Sequence, residues 1–129
     1  MGIITIKDIN KTFKKEADCI GYLEWVFWDN KPICPYCQNK KASAMPKEHR
    51  YHCNNCHSSF SVTVGTIFHR SRLDLRKWFL AIYYLINEPT LSLRELADRI
   101  EVTKDTVALL KRKIEIVPTE KLETIISFI

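Results

Sequence analysis

Apolar residues recur along this chain at two periods, and the places where the period changes divide it. In residues 16–28, EADCIGYLEWVFW, the residues Ala17, Ile20, Leu23, Val26 and Phe27 fall at helical spacing. A short amphipathic helix is predicted there, bracketed by Phe13 and Trp28. Cys19 lies inside this pattern and reads as a small buried apolar residue. Beyond Lys31 the runs shorten, and ASAMP, HRYHC and FSVTV are candidate strands. In the last of them Phe60, Val62 and Val64 alternate with Ser61 and Thr63 until Gly65 breaks the run. After Arg72 the helical period returns. Asp74 is a good N-cap, and Leu75, Trp78, Phe79, Ile82, Leu85 and Ile86 then lie on one stripe. Leu80, Tyr83 and Tyr84 widen that stripe, so this helix needs cover on most of its faces. Asn87, Glu88 and Pro89 end it.

The segment LSLRELADRIEVTKDTVALLKRKI has the form of a helix-turn-helix. Ser92 and Glu95 make a capping box, Leu93, Leu96, Ala97 and Ile100 line an inner face, and Thr103 caps a second helix carrying Val107, Leu110 and Ile114 inward. Lys104, Asp105, Ala108, Lys111 and Arg112 are left on its outer face. In a DNA-binding helix-turn-helix that face enters the major groove; in a plain three-helix core its charges are only solvated. Glu101 stands in the turn where glycine is common, at a cost in backbone strain. A last pattern follows Pro118 and Thr119, with Leu122, Ile125, Ile126 and Ile129 on one side. It either packs back on Trp78 or Phe79, the favoured reading, or pairs two copies into a homodimer.

The 129 residues are 46% hydrophobic and 27% charged, enough for one compact unit or two very small ones. A formal net charge of +5 favours polyanionic partners. Between Lys31 and Lys77 nine Lys and Arg residues face only Glu48 and Asp74, and the positive half surrounds the cysteines. No stretch suits a membrane span, and MGIITIKDINKTF lacks the features of a signal peptide, so a cytoplasmic protein with no membrane partner is expected. Cytosolic thiols stay reduced, which turns paired cysteines toward metal.

Cys34 and Cys37 form one CxxC pair and Cys53 and Cys56 another, fifteen residues apart, inside the range for a structural zinc site. A two-residue gap lets both thiolates of a turn point at one ion, and the second turn completes a tetrahedron of sulfurs. The competing readings are a redox CxxC, which normally uses one pair, and thiols that are merely buried. One Zn2+ is expected, and four thiolates leave no open position for an activated water, so its role is structural. His49, His52 and His57 crowd the region and read as surface or supporting groups, with His52 or His57 substituting as a ligand the less favoured alternative.

Three stretches, YLEWVFWDNKPICPYC, YHCNNCHSSFSVTVGTIFHRSRLDLRKWFLAIYYL and SLRELADRIEVTKDTVALLKRKI, resemble the N-terminal region of bacterial insertion-sequence transposases that begin with a transposase zinc-ribbon domain. The resemblance runs from about Phe13 to Ile114. It implies Cys34, Cys37, Cys53 and Cys56 as zinc ligands, the segment from Thr103 to Arg112 as a recognition helix, and transposon-end DNA as the target. In that family a following RNase H-like domain carries the catalytic carboxylates. Here EIVPTEKLETIISFI alone follows the second helix, and Asp8, Asp18, Asp29, Asp74, Asp98 and Asp105 are scattered, so no catalysis is expected.

The expected fold is a small α+β protein: a four-cysteine zinc ribbon of short antiparallel β hairpins packed on a mainly helical helix-turn-helix domain. The divisions are a helical lead-in (1–30), the ribbon (31–72), the helix-turn-helix (73–117) and a short closing helix (118–129). The expected function is zinc-dependent binding of double-stranded DNA at the nucleoid. Lys40, Lys41, Lys47, Arg50, Arg70 and Arg72 would hold phosphates, and Lys104, Asp105, Ala108, Lys111 and Arg112 would face the duplex from the second helix. The alternative is a regulatory adaptor docking through the ribbon on a transposase or on transcription machinery.

Overall fold

The computed structural model describes residues 5–45, 47, 49–69 and 71–127. Its elements are α1 (Ile6–Thr12), α2 (Glu16–Trp28), β1 (Ala42–Met45), β2 (Arg50–Cys53), β3 (Ser59–Phe60), α3 (Leu75–Asn87), α4 (Leu93–Ile100), α5 (Lys104–Glu115) and α6 (Thr119–Ile125). The fold is small α+β. It divides into two compact units, Met1–Lys15 with Arg72–Ile129, and Glu16–Ser71. The first thirty residues, grouped as one lead-in on sequence, are therefore shared between the units. Among the described residues no helix is long and apolar enough to cross a membrane.

In the helical unit, α1 begins at a capping box. The Asp8 carboxylate accepts from Thr5 N at 2.9 Å, and Thr5 Oγ1 accepts from Asp8 N at 3.4 Å. Ile9 and Phe13 are its buried positions, and Phe13 meets Phe79 edge to face at 5.4 Å. Asp74 caps α3 as predicted, accepting from Arg76 N at 2.8 Å. The Arg76 guanidinium holds both Asp74 oxygens and reaches the Lys14 carbonyl at 3.1 Å, tying the end of α1 to the start of α3. Trp78, Phe79, Leu80, Ala81 and Ile82 are all buried, because α1, α4, α5 and α6 each pack on α3. Arg99 extends the joint, pairing with Glu88 at 2.8 Å and lying over the Tyr84 ring.

Two capped helices follow across a three-residue turn. Ser92 Oγ accepts from Glu95 N, and Thr103 Oγ1 from Thr106 N. Glu101 adopts the left-handed conformation, φ 57°, that its position requires. The turn is secured at Val102 N, which donates to Ala97 O at 3.0 Å, and at Glu101 O, which accepts from Lys77 Nζ at 3.0 Å. Leu122 and Ile125 of α6 and the Ile126 that caps it are buried, so the apolar side of the last helix turns inward onto α3. Ile129 lies outside the described residues.

The second unit is built around a three-stranded antiparallel sheet in the order β1-β2-β3. Ala42 pairs with Cys53 and Ala44 with Tyr51, while Tyr51 also pairs with Phe60. Trp28 closes that side, meeting Tyr51 and Phe60 edge-on at 5.6 and 5.7 Å. Two sequence expectations are corrected here. The third strand is only Ser59–Phe60: beyond it the backbone folds into successive turns, with Val64 N bonded to Ser61 O and Thr66 N to Thr63 O. The apolar alternation survives, since Phe60 and Val62 are buried, but the ladder does not. In α2 the buried positions are Cys19 and Leu23, one turn apart, whereas Phe27 is 37% exposed. The helix is apolar all round, and periodicity alone could not select its buried side.

Candidate metal centre and nucleic-acid interface

The four cysteines stand on two turns of matching geometry. In the first, Cys34 N donates to Asn39 O at 3.0 Å, Gln38 N donates to Cys34 O at 2.9 Å, and Gln38 takes φ 63°. In the second, Cys53 N donates to Ser58 O at 2.9 Å, His57 N donates to Cys53 O at 2.9 Å, and His57 takes φ 64°. Each turn thus brings two thiols to one side. Across the turns Cys34 Sγ lies 3.6 Å from Cys56 Sγ, and Cys37 Sγ 3.5 Å from Cys53 Sγ. All four sulfurs lie within 4.8 Å of one another. Disulfides would need sulfurs about 2 Å apart, whereas a tetrahedron with metal–sulfur bonds of about 2.3 Å has edges of about 3.8 Å. The set fits Zn2+.

Its surroundings prepare the charge. Cys34 and Cys53 are buried, with Phe60 at the core of the cluster and Trp28, Ala42, Tyr51 and Val64 against it. Burial pushes the Cys34 thiol up to about 11, because a lone thiolate is costly there. Hydrogen bonds from the Ser58 side chain and backbone draw Cys56 down to about 6. The Asn39 backbone N–H and then the Asn55 amide lower Cys37, and Asn55 Nδ2 reaches Cys37 Sγ across the two turns at 3.6 Å. A divalent cation stabilises all four thiolates together, including the one that burial alone keeps protonated.

Residues 14–59 match the family profile of the transposase zinc-ribbon domain. Over that segment the chain is similar to the transposase zinc-ribbon domain. A curated relative, described as an uncharacterized protein in transposable element ISH50 of Halobacterium salinarum, is 36% identical over 100 residues. The matched stretch covers 75% of this chain and 34% of the relative, so the chain spans about a third of that protein's length. No solved structure matches.

The zinc ribbon assigns the histidines and spreads out the basic residues. No histidine joins the four-cysteine group among the described residues. His57 occupies the left-handed position of the second turn, His49 another at φ 53°, and His52 sits mid-strand on β2. Lys40 and Lys41 are exposed just before β1, Lys47 is exposed between β1 and β2, and Arg50 opens β2. Arg72 is exposed and belongs to the helical unit; Arg70 lies outside the described residues. On α5, Lys104, Asp105 and Arg112 are exposed and Ala108 is half-buried. Lys111 sits to one side of them, 4.0 Å from Glu115, and lines a groove with Leu85, Ile86 and Leu122.

Sequence reasoning missed Leu109, which is 45% exposed between Asp105 and Arg112 on the outer side of α5. Its signal was available: Val107, Leu110 and Ile114 already fill the inward positions, so a fourth apolar residue had to face out.

Proposed function

We propose that the chain is a non-catalytic reader of double-stranded DNA, with a zinc ribbon and a helix-turn-helix as its two contact modules. The observation that carries this reading is α5. Val107, Leu110 and Ile114 anchor it in the helical unit, and Lys104, Asp105, Ala108, Leu109 and Arg112 are left along one outer side. That side carries donors, an acceptor and an apolar group, which are the three kinds of contact that base edges in the major groove accept. The origin of the relative in a transposable element supports a transposon end as the target. Four thiolates saturate a zinc ion and leave it no open position, which suits a scaffold metal beside a recognition helix.

Selection of binding sites from random duplexes tests the reading. Recovery of a defined sequence that Lys104→Ala or Leu109→Ala relaxes is expected; retention of no duplex at low salt defeats it. The second reading, an adaptor that docks on a transposase or on transcription proteins, has its own observation. Trp25 is 54% exposed on α2, and Tyr36 is 59% exposed at the tip of the first cysteine turn. Large exposed aromatics of this kind anchor protein interfaces. Trp25→Ala that leaves DNA affinity unchanged and abolishes capture of a transposase would establish it.

A further inference from the structure

We infer that the outer side of α2 is a docking stripe for an arginine-bearing segment of a protein partner, an inference that rests on the adaptor reading above and gives that partner its chemistry. The charge of this helix sets it apart. Residues 16–30 hold Glu16, Asp18, Glu24 and Asp29 and no Lys or Arg, in a chain whose formal net charge is +5. Asp18, Tyr22, Trp25 and Asp29 follow one another at helical spacing, on a different side from the buried pair Cys19 and Leu23. Trp25 is 54% exposed, and the Tyr22 ring lies 6.0 Å from it. Asp18 and Asp29 are exposed at the two ends of this aromatic pair. Glu24 lies round the helix, in a groove it shares with His49 and Arg50, and there it accepts from the Tyr51 hydroxyl.

Gly21 supplies a second observation. It stands in the interior of α2, where glycine favours a helix less than any residue but proline. Packing gives no reason for it: among the described residues nothing lies within 4 Å of where a Cβ would stand. The helix therefore carries a notch one turn before Trp25, where an incoming side chain can settle against the backbone. An exposed indole with a carboxylate at either end and a notch beside it matches a guanidinium. The planar cation stacks on the indole face while its edge donors reach a carboxylate, a combination that the compact ammonium of lysine makes less well. The same four carboxylates repel a duplex from this helix. Charge complementarity thus selects a cationic protein segment.

The test selects random peptides on the full zinc-loaded chain, with the Trp25→Ala chain used to remove peptides that bind elsewhere. Recovered peptides are expected to carry arginine, and citrulline in its place, which keeps the shape and removes the charge, should weaken them. Against one such peptide, Trp25→Ala should cost about tenfold or more in affinity, and Asp18→Asn combined with Asp29→Asn about threefold. Gly21→Ala should raise the melting temperature yet weaken the peptide, an opposition that a merely structural glycine does not produce. Glu123→Gln, an equal loss of charge at an exposed position of α6, should leave affinity unchanged. Zinc content at one per chain certifies each variant as folded, and the paired aspartate variant takes over the removal step if Trp25→Ala loses metal. Peptides that need Trp25 but carry no arginine overturn the cationic partner and leave the adaptor reading standing. Recovery of no peptide that depends on Trp25 or on the two aspartates overturns both. A wild-type dimer that Trp25→Ala dissolves also overturns the inference, because a second copy would then be the occupant.

Discussion

Each ribbon cysteine is one corner of a sulfur tetrahedron, and a missing corner cannot be replaced from nearby because no histidine belongs to the set. Cys37→Ser is therefore expected to abolish stoichiometric zinc and to unfold the Glu16–Ser71 unit, as read by elemental analysis and circular dichroism. Cys19→Ala, at a buried thiol outside the set, should keep one zinc per chain. Protons compete for the same sulfurs. Zinc affinity should therefore fall as pH falls, and more steeply once Cys56, drawn down to about 6 in the metal-free site, also takes up a proton, as read in a chelator assay. Glu101 carries a different stress. At φ 57° a Cβ is unwelcome, and Glu101→Gly should raise stability by about 1 kcal/mol, since the Lys77 bond to its carbonyl needs no side chain.

Among the elements, the caps set what each helix can lose. Thr103→Ala removes the acceptor for Thr106 N and should cost about 1 kcal/mol in denaturant melts, loosening the first turn of α5, where the proposed base contacts lie. Asp74 caps α3 while Arg76 holds its carboxyl below the ordinary value, so its stabilisation is complete above the usual carboxylate range and disappears as pH falls through the lowered one. Asp74→Ala should flatten that acid limb. Helix α3 was legible in full, because an N-cap and an all-round apolar pattern leave one physical solution. The paired cysteine turns were legible too, from spacing alone. Three features were not. The face of α2 was hidden by apolar residues on every side; β3 was overestimated, because alternation reports burial and not pairing; and α1 was signalled only by Thr5 and Asp8 at capping distance. The left-handed role of His57 emerges only beside its counterpart Gln38, through bonds that composition does not reveal.

For the molecule as a whole, covering Leu122, Ile125 and Ile126 removes the apolar stripe that two copies would have shared, and sedimentation at micromolar concentration is expected to find a monomer. The larger consequence comes from the first helix. Ile9 and Phe13 are core positions of the helical unit, yet the ribbon interrupts the chain between them and their partner Phe79. The helical unit is thus discontinuous, and its two pieces cannot meet until the intervening segment has left the ribosome. The thiolate turns, by contrast, are local and complete by Ser71. During synthesis the nascent chain should capture zinc first, and the segment meant to touch bases should become rigid only after the metal has shortened the path between the severed halves.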